Sequence, residues 1–362
     1  MKKKKRHKRK RMNSGKRRQT VKTAAAVFLV VLVAVTGLSM CRSQENAMKK
    51  EVRGVWVSYV DFAKLGLSNK SEAEFTENAK SFYDRAEELH INTVYFHVRA
   101  FRDAVYKSDY FPVSKAIWNR AEELPYDPLK IMTELADEYD MEIHAWLNPY
   151  RNSSFEEDIL DPADGASTEE ILLCVNELMD NYDIDGIHFD DYFYEEGDVP
   201  ATSEKMTHVN RMIKQVYNAV HSHKGDLVFG ISPAGNIGYS ESLGADVKTW
   251  LSEEGYVDYI VPQIYWTDEH TAAWRDDMFS DTLDEWMGIN VRNKPLYVGL
   301  ALYKAGTHEA DDPGWLSSNS NIEFQINQLR GKSCDGYVFF SASDLFRTGA
   351  AEELNVYRNL EF

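Results

Sequence analysis

The sequence predicts an α/β chain whose main body, residues 51–362, is a (β/α)8 TIM barrel. Three observations predict it. From residue 51 onward, eight short apolar runs alternate with amphipathic stretches, the signature of βα units. Asp183-Ile-Asp-Gly186 and Lys332-Ser-Cys-Asp-Gly336 make the same junction twice, a helical pattern closing on an Asp-Gly turn before a strand. No repeat and no linker divides a body of about 300 residues, the size of one such barrel.

Taken in order, the strand candidates are 52–59, 91–99, 142–148, 186–190, 227–232, 259–265, 296–302 and 336–341. Each is a short apolar run. Between them, helical periodicity covers 72–90, 127–140, 168–182, 203–223, 241–254, 271–287 and 321–331, and the tail, 344–360, supplies a last helix. Ser167-Thr-Glu-Glu170 and Thr202-Ser-Glu204 read as N-cap openings, and Asp127-Pro128 places a proline at a first helical position.

Ahead of the barrel, residues 1–22 hold thirteen Lys or Arg and no acid. The formal net charge of −17 is therefore +13 over that head and −30 over residues 23–362. A body this acidic repels phosphate backbones, which excludes nucleic acid as the expected partner. Residues 23–41 contain an uncharged apolar run, 24–40, at the lower limit for spanning a bilayer. Positive charges before it keep the N-terminus cytoplasmic and place the body outside. Leu38-Ser-Met-Cys41 is similar to a bacterial lipoprotein box, which would make Cys41 a lipidated residue; an uncleaved signal anchor is the alternative. Residues 42–50 form a polar linker. The other cysteines, Cys174 and Cys334, imply neither a disulfide framework nor a zinc site, and no cofactor is expected.

The stretch Asp185-Gly-Ile-His-Phe-Asp-Asp-Tyr-Phe-Tyr194 delivers two adjacent carboxylates, Asp190 and Asp191, where a fourth strand ends. In parallel α/β folds the chemistry gathers at the carboxyl ends of strands. Because side chains alternate along a strand, an inward Asp190 puts His188 inward one layer below. The same parity points inward Trp56 and Ser58, His97 and Arg99, His144, Trp146 and Asn148, and Gln263 and Tyr265. So polar and aromatic a set suits a site rather than an inert filling.

Carboxylate chemistry fits these groups best. Asp190 would act as nucleophile or charge stabiliser, with Asp191 or the loop acid Asp103 as acid/base, and Asp268 and Glu269 as further mouth acids. Trp146, Tyr192, Tyr265 and Trp266 are candidate sugar-stacking rings. His97, His144 and His188 come from different strands and read as buried braces of Asp190 and Arg99, with a metal-dependent hydrolase the weaker option. No Gly-x-Ser-x-Gly elbow and no phosphate-binding glycine loop is present.

Seven blocks carry a family resemblance. They are Gly54-Val-Trp-Val57, Val98-Arg-x-x-x-Asp-Ala-x-Tyr-x-Ser108, His144-Ala-Trp-Leu-Asn-Pro-Tyr-Arg151, Asp185-Gly-Ile-His-Phe-Asp-Asp-Tyr192, Ile231-Ser-Pro-Ala-Gly-Asn236, Pro262-Gln-Ile-Tyr-Trp266 and Val338-Phe-Phe-Ser341. In this order they resemble the glycosyl hydrolase-like 10 family of bacterial surface barrels. The resemblance implies a (β/α)8 fold, hydrolysis of O-glycosidic bonds and, for some members, action on peptidoglycan glycan strands. The candidate substrate contacts are Trp56, Arg99, Trp146, Asn148, His188, Tyr192, Asn236, Gln263, Tyr265 and Trp266. Asp185-Gly-Ile-His-Phe-Asp190 is similar to the strand-four nucleophile signature of the α-amylase clan, with His188 in place of its arginine. Tyr192 stands where a chitinase has its catalytic glutamate, which disfavours that mechanism. Ala100-Phe-Arg102 departs from the family pattern beside Asp103. The expected function is a membrane-tethered extracytoplasmic glycoside hydrolase acting on peptidoglycan or another extracellular glycan; the alternative is a non-catalytic glycan-binding barrel.

Overall fold

A computed structural model describes residues 51–153, 159–190, 193–195, 201–223, 225–271 and 275–362. Eight parallel strands run in chain order around a barrel: β1 (Val52–Val57), β2 (Thr93–Arg99), β3 (Glu142–Leu147), β4 (Gly186–Phe189), β5 (Val228–Ile231), β6 (Tyr259–Ile260), β7 (Tyr297–Leu300) and β8 (Gly336–Phe340). β1 pairs with β2 on one side and β8 on the other. Single bridges Ile260↔Leu296 and Gln263↔Gly299 join β6 to β7, which nearly closes the ring. The predicted barrel is the observed fold.

The helices between them are α1 (Glu72–Glu88), α2 (Pro128–Glu138), α3 (Gly165–Asn181), α4 (Thr202–Ser222), α5 (Ile237–Ser242), α6 (Val247–Ser252), α7 (Met278–Ile289), α8 (Gly314–Ser317), α9 (Asn321–Gly331) and α10 (Ala351–Tyr357). Asp127 caps α2 as expected, its carboxylate accepting the Lys130 N–H, with Pro128 as first helical residue. Two expected caps move. α3 starts earlier, where Asp164 accepts the Ala166 N–H, so Ser167 lies inside the helix. α4 starts at Thr202, behind an Ala201 that makes no side-chain cap. The expected single helix over 241–254 is two, parted at Leu243-Gly244-Ala245, where Gly244 takes φ +95°.

Outward strand residues such as Val55, Val94, Phe96, Ile187 and Phe229 pack with the helices into one large apolar core. The barrel interior is a separate, smaller cluster built on Trp56, Tyr95, Trp146, Tyr259, Val261 and Val338. Its large rings fit because inward glycines yield space. A Cβ on Gly230 would lie 2.1 Å from the Tyr259 ring, and one on Gly299 would lie 3.0 Å from Trp56. Among the described residues no helix is long and apolar enough to cross a membrane. The head, with Cys41, lies outside the described residues.

Candidate active site

At the carboxyl ends of the strands a cavity of about 300 Å³ opens, and every strand or its exit loop reaches it. Its acidic group, among the described lining residues, is Asp190, one residue beyond β4. Parity turns Asp190 inward, and the chain buries it almost fully. Gln263 Nε2 donates to Asp190 Oδ1 at 3.2 Å and lies 3.1 Å from the Ser232 carbonyl oxygen. The loops after β4, β5 and β6 are thereby fastened together at the carboxylate.

Trp146, at the end of β3, lies flat on His97 of β2, with ring centroids 3.8 Å apart and planes 11° apart. Burial, and then the positive charge of Arg151, push the His97 imidazole down to about 3, so it stays uncharged. Asn148 donates from Nδ2 to the Ala100 carbonyl at 2.9 Å, which fixes the amide at the cavity edge. Tyr265 and Phe340 pack against each other at 5.9 Å, and Tyr303 meets both edge-on. Tyr303 is 37% exposed, and it forms part of the cavity rim. Arg151 supplies a cation to the same wall, its guanidinium 5.5 Å from the Phe101 ring.

Six of the expected site residues therefore line one cavity: Trp56, Trp146, Asn148, Asp190, Gln263 and Tyr265. Asp191 and Tyr192 lie outside the described residues. The others are placed elsewhere, each for a local reason. Arg99 was expected inward, but the β2–β3 register slips between His97 and Arg99, so alternation fails there. Its buried guanidinium instead binds Glu170 of α3 at 2.8 Å and the Pro149 carbonyl at 3.1 Å. Asp103 turns into its own loop and accepts the Phe101 N–H at 3.2 Å, and burial raises its carboxyl above the usual range. Asn236 caps α5 by accepting the Tyr239 N–H at 2.8 Å. Trp266, one residue past the inward Tyr265, has the opposite parity. It packs on the outer core and donates to the Met278 carbonyl at 2.9 Å. Asp268 and Glu269 are engaged by Ser280 and Ser317. His188 sits one layer below the cavity and braces Trp56, not Asp190, accepting from its Nε1 at 3.1 Å. The histidines do not form a metal centre, since His144 and His188 both turn Nδ1 to the Tyr259 hydroxyl while His97 stacks on Trp146. Among the described residues no three His, Cys, Asp or Glu side chains converge.

Sequence reasoning missed Tyr59, Val60, Arg151, Ser232, Tyr303 and Phe340 as lining residues. It also missed Asp61, which shapes two walls at once. Its buried carboxylate accepts the Ser58 N–H at 2.9 Å and the Ser341 hydroxyl at 2.8 Å, tying the β1 exit to the β8 exit. Burial raises its carboxyl above the usual range. Inward parity did signal Ser232 and Phe340, whereas nothing in the turn Leu302-Tyr303-Lys304 marks a rim residue.

The family model described as glycosyl hydrolase-like 10 matches residues 51–161 and 198–317. The chain belongs to this family. As a member of the glycosyl hydrolase-like 10 family it is a glycoside hydrolase. It is 28% identical over 385 residues to the glycosyl hydrolase YngK of Bacillus subtilis, covering 88% of this chain and 73% of that one. It is 29% identical over 341 residues to the glycosyl hydrolase DigH of Escherichia coli K12, covering 73% and 76%. Among solved structures it resembles the PgaB (BpsB) glycoside hydrolase domain of Bordetella bronchiseptica, with a TM-score of 0.61 at 12% identity over 86% of this chain and all of that one. It also resembles the C-terminal domain of a putative chitinase from Desulfitobacterium hafniense, with a TM-score of 0.58 at 10% identity over 85% and 99%. Those two likenesses concern the fold.

Proposed function

We propose that this family member is a membrane-tethered, extracytoplasmic glycosidase that cleaves a cell-wall or other extracellular glycan, with Asp190 as its catalytic carboxylate. The observation that carries the reading is one carboxylate, oriented by Gln263, in the wall of a cavity lined by Trp56, Trp146 and Tyr265. Aromatic faces suit the apolar faces of sugar rings, and a buried carboxylate stabilises an oxocarbenium-like centre or attacks it. Asp191, adjacent in sequence, is the proposed acid/base partner. The tether rests on the basic head, the apolar run before Cys41, and the direction those charges impose. Peptidoglycan glycan strands are the first substrate to try.

In a panel of glycans that includes denuded peptidoglycan, the full chain is expected to release reducing ends. Asp190→Asn should lower kcat by about 10³-fold or more while leaving the unfolding transition in place. Unchanged turnover in that variant would remove Asp190 from the chemistry. Because Asp190 is the sole acid among the described lining residues, a glycan-binding barrel without turnover is a second reading. Glycan affinity lost on Trp146→Ala, with no hydrolysis over days, would favour it.

A further inference from the structure

We infer that Trp56, His188, Tyr259 and His144 form a one-way hydrogen-bond relay through the barrel interior, and that the last three are positioning residues holding the Trp56 ring in the cavity wall. The direction follows from which atoms can donate. Trp56 Nε1 lies 3.1 Å from His188 Nε2, and an indole nitrogen only donates. His188 Nε2 must therefore accept. An uncharged imidazole that accepts at Nε2 carries its proton on Nδ1, and His188 Nδ1 lies 3.1 Å from the Tyr259 hydroxyl. With its oxygen accepting there, Tyr259 sends its own proton to His144 Nδ1 at 2.8 Å. His144 is left with its proton on Nε2, which faces the Glu142 carboxylate across 3.8 Å. Glu142 opens β3, so the relay runs from the cavity towards the amino-terminal end of the barrel.

Every interior member is buried, and the rings pack against one another. The Tyr95 ring lies 4.6 Å from His188 and 5.0 Å from His144, and Tyr259 stacks on His188 at 7°. Burial, with the neighbouring histidines, holds the His188 imidazole well below its usual range and hence uncharged. The relay does not carry protons to the substrate, because it terminates on an indole N–H. Its consequence is geometric. Trp56 is the member that reaches the cavity, and its ring is only tilted against Tyr95 and Phe340 at 5.9 and 6.2 Å. The bond to His188 selects one orientation of that ring.

The catalytic consequence rests on the proposed function; the proton positions do not. With the full chain labelled with ¹⁵N at histidine, two-bond ¹H–¹⁵N spectra at pH 7 should show His188 as the Nδ1–H tautomer and His144 as the Nε2–H tautomer. A His188 proton on Nε2, or a charged imidazole at either position, overturns the relay. On whichever glycan the panel shows to be cleaved, Tyr259→Phe should raise KM about fivefold, the equivalent of one ordinary hydrogen bond, with kcat within about twofold. Trp56→Phe combined with Tyr259→Phe should then bind no worse than Trp56→Phe alone. Additive effects on KM would overturn the positioning role. If no glycan in the panel is cleaved, the functional reading falls, and the tautomers still decide the relay.

Discussion

The two faces of the same eight strands are built on opposite terms. Outward, Val55, Val57, Phe96, Ile143 and Phe229 meet the helices through apolar surface alone. Inward, Trp56, Tyr95, His97, His144, Trp146 and His188 fill the barrel with side chains that each carry a polar atom. A hydrocarbon face tolerates exchange of one shape for another of similar volume. A polar ring buried in the interior also needs its protons in the right places. The outer face is closed against the helices, while the inner face opens at the carboxyl ends of the strands into the cavity.

The largest effect that separates the faces is expected from truncating the outer one. Phe229 is fully buried and meets Phe189 edge-on at 5.0 Å. Phe229→Ala should cost about 3–5 kcal/mol in denaturant unfolding. Turnover per folded molecule should stay within about twofold. A loss of activity larger than the loss of folded protein would show that the two faces are not independent.

A second effect tests the place where the faces exchange residues. Arg99 belongs by parity to the inner face, yet it ends behind β3, bound to Glu170. Glu170→Gln removes the countercharge of a fully buried guanidinium and should cost about 2–3 kcal/mol, less than an entirely buried pair because Glu170 is partly exposed. KM should not move. A raised KM with unchanged stability would return Arg99 to the substrate.

The residues that parity placed correctly show what a strand sequence encodes. His144, Trp146 and Asn148 alternate without interruption, and each faces the barrel interior or its cavity. Arg99 fails for a definite reason. The extra residue that lets His97 pair with Trp146 and Arg99 with Leu147 is a property of two strands together, and neither sequence alone contains it. Asn236 and Trp266 were legible in a different sense. Asn before a helix is a cap signal, and a residue adjacent to an inward one faces out, so both structural roles were available beside the functional ones. Asp61 and Tyr303 were not legible. Their positions depend on contacts from Ser341 at the β8 exit and from Phe340 of β8, 280 residues away in the first case.

The smallest expected effect is a pH dependence that belongs to the inner face. His97 and His188 are held uncharged by burial, His97 down to about 3. In the unfolded chain both bind a proton near pH 6.5. Below that pH the unfolded state takes up protons that the folded state refuses, so stability falls as pH falls, by up to about 1.4 kcal/mol per pH unit for each group. For His97 this loss continues until about pH 3. The raised carboxyls of Asp61, Asp103 and Asp185 act in the opposite sense, since each binds its proton more readily in the fold. Their contribution grows as the pH approaches the ordinary carboxylate range, which leaves the interval between pH 6.5 and 5 to the histidines. Urea unfolding at pH 7, 6 and 5 should show stability declining by about 2 kcal/mol for each of the two histidines, and His97→Gln should make the decline shallower by about one proton. A flat profile would mean that these imidazoles take up protons in the fold as readily as in the unfolded chain. The inner face would then be more open to water than its packing implies.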